Sequence, residues 1–482
     1  MKRIFLISTL FVLTVWLTAC SDNEDFSADA SRRLTFVSDT IRMDTVFSRI
    51  PTSTKSFWVY NRSGSGIRCR NIRLENGNQM GFRVNVDGIY LSQSAGYQVN
   101  DIEVRNGDSI RVFVELTSTA ANQATPKEIE DNLIFQLESG VRQTLRLNAW
   151  IWDAEVWRDK VVRTDTVIRA EKPVIVYGSL KVEEGATLTL TAGTTLYFHD
   201  GAGMDVFGTL KTQGTPDNNV VMRGDRLDRM FDNLPYDRIS GHWEGIRFHE
   251  HSYHNVMDYT DIHSAKNGIV CDSSSVETPK LLLRNSMIHN CKGYGLKTIH
   301  SQVKLSNSQL SNTLHDCLYV LGGVVDVVHC TIAQFYPFDA ERGAALTCSN
   351  YEGDYKYPVD RLSCINSIVT GYADDVIYLL SRKDDTDTPL NYSFSHCLLR
   401  TPQPEEPKNM TGIIWENTKE EPFEGSKNFR TLDTDRLYYD FRLDSLSRAV
   451  DSGEVLDDIK TDRLGIARDD KPDLGCYEYR KE

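Results

Sequence analysis

Apolar and polar residues alternate in short runs through the middle of the chain, most clearly in three segments at 281–288, 303–310 and 325–332. Their closing aliphatics, Ile288, Leu310 and Ile332, recur every 22 residues. The period is two within each run, which predicts strands rather than helices. A unit this short cannot bury its own apolar face, so stacking of successive units is implied, as in a β-solenoid. Leu281, Val303 and Val325 should then stack as one inward column, and Leu283, Leu305 and Val327 as another. Asn285 and Asn307 should stack at a corner, each amide within reach of its copy one strand spacing away. Residues 362–369 repeat the unit, with Asn366 at the corner position.

The flanking patterns differ. Residues 34–152 carry about seven short alternating runs, among them 56–60, 81–86 and 109–114. Asn76-Gly77 and Asn106-Gly107 lie between runs, where tight hairpin turns are expected. This predicts an immunoglobulin-like β-sandwich. From 177 a strand–turn–strand rhythm begins, with Gly-Ser-Leu at 178 and Gly-Thr-Leu at 208, a spacing of 30 residues. These segments, with 241–248, resemble the coils of bacterial right-handed parallel β-helix proteins of the pectate-lyase-like fold. The predicted class is therefore all-β, a sandwich followed by a right-handed parallel β-helix over 153–400.

The termini add addresses rather than chemistry. Lys2-Arg3, an apolar run and Leu17-Thr18-Ala19-Cys20 resemble a bacterial lipobox, which makes 1–19 a lipoprotein signal peptide and Cys20 the lipidated residue. The acidic residues after it open a tether over 20–33, and they resemble the export signal of Bacteroidetes surface lipoproteins. An outer-membrane lipoprotein facing outward is the implied location, with the lipid as its membrane contact. Residues 401–482 read as a loop-rich end. Within it, 473–479 (Asp-Leu-Gly-Cys-Tyr-Glu-Tyr) resembles a closing motif of bacterial β-helix surface proteins, expected to cap the last coil. The net charge of −14 argues against a nucleic-acid partner. Nine cysteines follow Cys20, without the paired spacing of a zinc site. Cys330 aligns with Ser286 and Ser308, which suggests buried core thiols.

Three groups could carry function. His249, His251 and His254 are candidate metal ligands on a dense histidine stretch. The repeat register places His263 over His289 and Lys266 over Lys292, about 4.8 Å apart, beside Asp261. A base beside carboxylates is what the resemblance to polysaccharide lyases of this fold implies, with calcium as cofactor in that case alone and no cofactor otherwise. Trp243, Tyr351, Tyr355, Tyr357 and Tyr378 could offer stacking faces to sugar rings. The leading reading is a non-catalytic surface protein that binds glycan or another macromolecule. The rival is a lyase or glycoside hydrolase acting on acidic polysaccharide. The sequence does not define an oligomeric state.

Overall fold

The computed structural model describes residues 25–169, 171–416 and 424–481. Cys20, the signal segment and the start of the tether lie outside them. The chain divides into two compact units after Asp153.

The first unit is a sandwich of two five-stranded sheets. Alternate residues of Phe82–Val86, Ser109–Leu116 and Lys127–Leu137 face a shared core that includes Val84, Val112, Leu133 and Phe135. The pairing is antiparallel except where Arg142–Trp152 runs parallel to Thr40–Phe47. The Asn-Gly pairs are not hairpin turns. Ile67–Leu74 and Phe82–Val86, which flank Asn76-Gly77, belong to opposite sheets, as do the strands flanking Asn106-Gly107. Only the glycine of each pair has positive φ, whereas a type I′ hairpin needs both central residues there. Asp87-Gly88 meets that demand, with φ of 50° and 88°, and joins Phe82–Val86 to Ile89–Tyr90.

The second unit is a parallel β-helix. Its coils form three parallel ladders, starting at Glu155–Val162 and ending at Ile414–Trp415, beyond the expected limit at 400. Val220–Gly224, Thr260–His263, Met287–Cys291, Gln309–Thr313, Thr331–Gln334 and Ile368–Gly371 belong to the first ladder. The second contains Ile246–Phe248, Ile269–Cys271, Leu346–Ser349 and Ile377–Leu380. The long strands Leu296–Ser306 and Leu318–Val328 pass from the second ladder into the third.

The 22-residue columns hold. Leu281 pairs with Val303 and Val303 with Val325; Leu283, Leu305 and Val327 align likewise, all buried. The 30-residue echo does not mark a coil. Leu180 pairs with Met204 and Leu188 with Leu210, so Gly178 opens a second-ladder strand and Gly208 a third-ladder one.

The corner before the first-ladder strands from Thr260 onward is left-handed. Tyr259, Asn285, Asn307, His329, Asn366 and His396 have φ between 45° and 52°, a region asparagine tolerates better than most residues. Asn307 Nδ2 donates to Asn285 Oδ1 at 3.2 Å, and Asn285 Nδ2 to Asp258 Oδ1 at 2.8 Å. His329 interrupts the amide ladder and accepts from Asn366 Nδ2 at 2.9 Å. The next position is a buried column of Thr260, Ser286, Ser308, Cys330, Ser367 and Cys397. Ser286, Ser308 and Ser367 each accept a backbone N–H from the coil before. The nine described cysteines are buried free thiols, and burial pushes several of them up to about 12.

The 473–479 motif does not sit on the last coil, which the C-terminal segment meets through Arg448, whose Nη1 donates to Trp415 O at 3.0 Å. The segment lies along the outward face of the first ladder. Ala333, Ile368 and Leu398 point out of the helix there and pack with Phe335 against Phe429, Phe441, Leu443 and Leu474. The 473–479 motif passes across successive coils. Gly475 N donates to Asn366 O at 2.8 Å, Cys476 N to Thr331 Oγ1 at 3.1 Å, and Tyr477 OH to Gln309 Oε1 at 2.9 Å. Each residue thus meets a coil earlier than the one before. Arg463 Nη2 reaches Asn219 Oδ1 at 3.1 Å, still nearer the start. An uncovered row of Ala, Ile and Leu on one face explains why the segment lies here.

Candidate functional site

Between this cover and the first ladder is a cavity of about 440 Å³. Asp261, His263 and His289 form its floor, and Gln309 and Tyr477 line it further along. The hairpin Phe429–Asp433/Tyr438–Leu443 supplies Tyr438, Tyr439 and Arg442. A segment inserted between Val220–Gly224 and Ile246–Phe248 supplies Asp237 and Arg238.

The floor follows from strand register. Asp261 and His263 are outward residues on either side of inward Ile262, and His263 pairs directly with His289 one coil on. The two rings stack at 4.9 Å, close to the predicted coil spacing. His263 Nδ1 lies 2.8 Å from Asp261 Oδ1, and its Nε2 lies 2.7 Å from Asp237 Oδ1. His289 Nε2 reaches the same Asp261 oxygen at 3.1 Å, and Arg223 Nη1 meets Asp237 Oδ1 at 2.7 Å. Burial pulls the His263 pKa down, but the carboxylates on its two nitrogens outweigh it and hold it up at about 9. His263 is therefore an imidazolium at neutral pH. Burial raises the two aspartates, yet His263 and Arg223 pull Asp237 down to about 2. His263 and His289 take Asp261 well below the usual carboxylate range.

Neither lysine joins this cluster. Lys266 is exposed and pairs with Glu244, and Lys292 is exposed beside Gly241. Both follow Ala265 or Cys291 at a corner, where the backbone turns away from the cavity face, so the expected cationic ladder reduces to two histidines. The metal candidates on the earlier stretch also separate. His249 stacks on Phe207 at 3.8 Å and bonds Asp205 at 2.9 Å. His251 is exposed in the turn after Ile246–Phe248, and His254 sits at a left-handed position before the next strand. Trp243 is no sugar platform. It is fully buried, stacks on Phe198 at 4.3 Å, and donates Nε1–H to His263 O at 2.8 Å. In that role it fixes the backbone under the cavity floor.

The tyrosines gather on a different face. Along the second ladder the outward residues Lys297, Tyr319, Thr347 and Tyr378 pair in succession. Tyr294 lies 5.3 Å from Tyr319, and the Lys297 ammonium is 5.2 and 5.1 Å from their ring centres. Tyr351 and Tyr355 stand on the small hairpin Tyr351–Glu352/Tyr355–Lys356, whose Glu352 pairs with Lys297 at 3.4 Å. Burial, with Glu352 close by, pushes the Tyr319 hydroxyl up to about 12. Tyr357 is half-buried, with its backbone and Cβ against Gly322. Tyr294, Tyr319 and Lys297 were not singled out in the sequence; the 22-residue spacing from Lys297 to Tyr319 could have found them.

No family description matches the chain, and no curated protein does. Among solved structures, one similar chain is the catalytic unit of a thermostable GH87 alpha-1,3-glucanase from Streptomyces thermodiastaticus. It is 11% identical with a TM-score of 0.27, over 76% of this chain and 89% of that one. Another is the catalytic domain of a GH87 alpha-1,3-glucanase in complex with tetrasaccharides, 9% identical with a TM-score of 0.17, over 74% and 90%.

Proposed function

We propose that this chain is a surface lipoprotein that binds polysaccharide without turning it over, using the tyrosine face of the second ladder. The observation that carries this is the outward series Lys297, Tyr319, Thr347 and Tyr378, with Tyr294 beside it. Coils rise by about 4.8 Å, so Tyr319 and Tyr378, with Thr347 on the coil between them, lie along one straight track that an extended sugar chain could follow. Tyrosine presents an apolar ring face and a polar hydroxyl, which suits pyranose rings. Lys297 and Glu352 add charged hydrogen-bonding groups at the edge of the track. A lipid on Cys20 would hold this face at the outer membrane, and incorporation of a fatty-acid analogue in the natural chain but not in Cys20→Ala would test that anchor.

Binding is tested by affinity electrophoresis against a panel of neutral and acidic polysaccharides. Tyr319→Ala should weaken retention about tenfold, or about 1.4 kcal/mol, with the fold intact by circular dichroism. Unchanged retention would remove the tyrosine face from the reading.

A second reading is hydrolysis or elimination in the cavity, favoured by its carboxylates and its volume of about 440 Å³. Against it, Asp237 and Asp261 are already paired with His263 and Arg223, and Asp440, the third carboxylate of the lining, with Arg442. Calcium, an ion that takes oxygen ligands, is poorly suited by a floor with two imidazoles. Release of reducing or unsaturated ends from any polysaccharide of the panel would favour this reading over the first.

A further inference from the structure

We propose that Asp261, His263 and His289 form a binding site for a divalent transition metal such as zinc, with Asp237 as the outer partner of His263. Ligating atoms of the three residues all lie within 4.8 Å of one another, and among the described residues no other group of histidine, cysteine and acidic side chains converges in this way. Asp261 Oδ1 stands 2.8 Å from His263 Nδ1 and 3.1 Å from His289 Nε2. Donors bound to zinc at about 2.0–2.2 Å are separated by roughly 2.9–3.4 Å in octahedral or tetrahedral geometry. Two edges of such a polyhedron are therefore close to formed. The third closes if the rings tilt toward each other, and His289 has room to do so because its ring borders the cavity.

The surroundings supply what three ligands alone would not. A metal-bound histidine usually donates its other N–H to a carboxylate, which fixes the tautomer and the ring. His263 Nε2 faces Asp237 Oδ1 at 2.7 Å, and Arg223 holds that same oxygen at 2.7 Å. Trp243 binds the His263 carbonyl from beneath. His263 is thus held from the ring and from the backbone. The cavity lies on the open side, so a fourth position would be free for water or a small ligand, as in sites with three protein donors.

The proton balance is simple. His263 gives its Nδ1 proton to solvent and keeps the Nε2 proton on Asp237. His289 moves its proton to Nδ1 and offers Nε2. Imidazole with one carboxylate favours zinc, cobalt or nickel over magnesium and calcium.

The test uses the full mature chain, stripped with a chelator and titrated by calorimetry with zinc, with magnesium as a comparison ion. Cobalt is added separately to record its visible ligand-field bands. About one equivalent of zinc should bind, and cobalt should show the bands of nitrogen and oxygen ligation. His289→Ala and Asp261→Asn should each weaken zinc at least a hundredfold, and Asp237→Asn about ten- to a hundredfold. His251→Ala, on an exposed turn, should bind as the natural chain does. Because Asp261 is half-buried under two histidines, His289→Gln serves as a milder variant if Asp261→Asn fails to fold. Absence of stoichiometric zinc binding would overturn the proposal, as would wild-type affinity in His289→Ala and His289→Gln.

Discussion

The outward faces of the first and second ladders share one scaffold and have opposite fates. Both are built on the same coils, and their inward neighbours, such as Leu310 and Leu318, join one core. Outward, the later coils of the first ladder carry Ala333, Ile368 and Leu398, which water would penalise, and these are buried under the C-terminal segment. The corresponding positions of the second ladder carry Lys297, Tyr319, Thr347 and Tyr378, and Tyr378 remains 44% exposed. Where the outward residues are apolar the chain supplies its own partner. Where they are amphipathic the face is only partly covered, with Thr347 buried and Lys297 and Tyr319 half-buried. The cavity lies at the change of character, where Asp261, His263 and His289 continue the covered ladder with charge.

The contrast can be broken most strongly at the cover. Phe441 is buried against Phe335, Phe429 and Tyr439. Phe441→Ala should lower the stability of the β-helix by about 3–5 kcal/mol, read as a shift in the denaturant midpoint and faster proteolysis after 424. Tyr378→Ala on the second-ladder face should move the same midpoint by less than about 0.5 kcal/mol. Equal shifts would erase the distinction between the faces.

A smaller effect is expected at the corner under the cover. Burial, with Arg468 nearby, depresses His329 to about 3. Its folded pKa lies below the unfolded value of about 6.5, so its contribution is complete above pH 6.5 and is lost as the pH falls toward 3. His329→Asn installs the residue found at Asn285, Asn307 and Asn366. It should remove a few kcal/mol of this acid sensitivity, visible as a flatter plot of melting temperature against pH. A slope unchanged between the two proteins would assign the sensitivity elsewhere. A still smaller change within the buried ladder is expected for Cys330→Ser, since Ser286 and Ser308 fill the same column in neighbouring coils. Its cost should stay within about 1 kcal/mol. A larger loss, measured by denaturant titration, would show that the thiol fills space a hydroxyl cannot.

Much of the scaffold was readable before any coordinates. The Leu281, Leu283 and Ile288 columns and the Asn285–Asn307 contact follow from one repeat length of 22 residues, and the stacking of His263 on His289 follows from setting Ile262 over Ile288, a longer step of 26. Errors arose where one cue carried the inference. Asn-Gly alone did not distinguish a hairpin from a turn between sheets, because that depends on which sheet the next strand joins. Gly178 and Gly208 looked like copies, but similar tripeptides can open different ladders. Trp243 looked like a platform, yet an aromatic side chain reports its solvent exposure only through what packs on it. The placement of the C-terminal motif had no local signal, since an edge to cap and an apolar face to cover ask for similar residues.

The sequence by itself determined what points inward. Every coil must remove the same kind of side chain from water at the same step, and that repetition is written as a period. Only the tertiary structure decided what the outward residues do. Asp237 reaches His263 through an inserted segment, and Tyr477 reaches Gln309 from the far end of the chain. Neither segment repeats, so their paths are set by which exposed faces they can bury and by the partners their buried polar groups need.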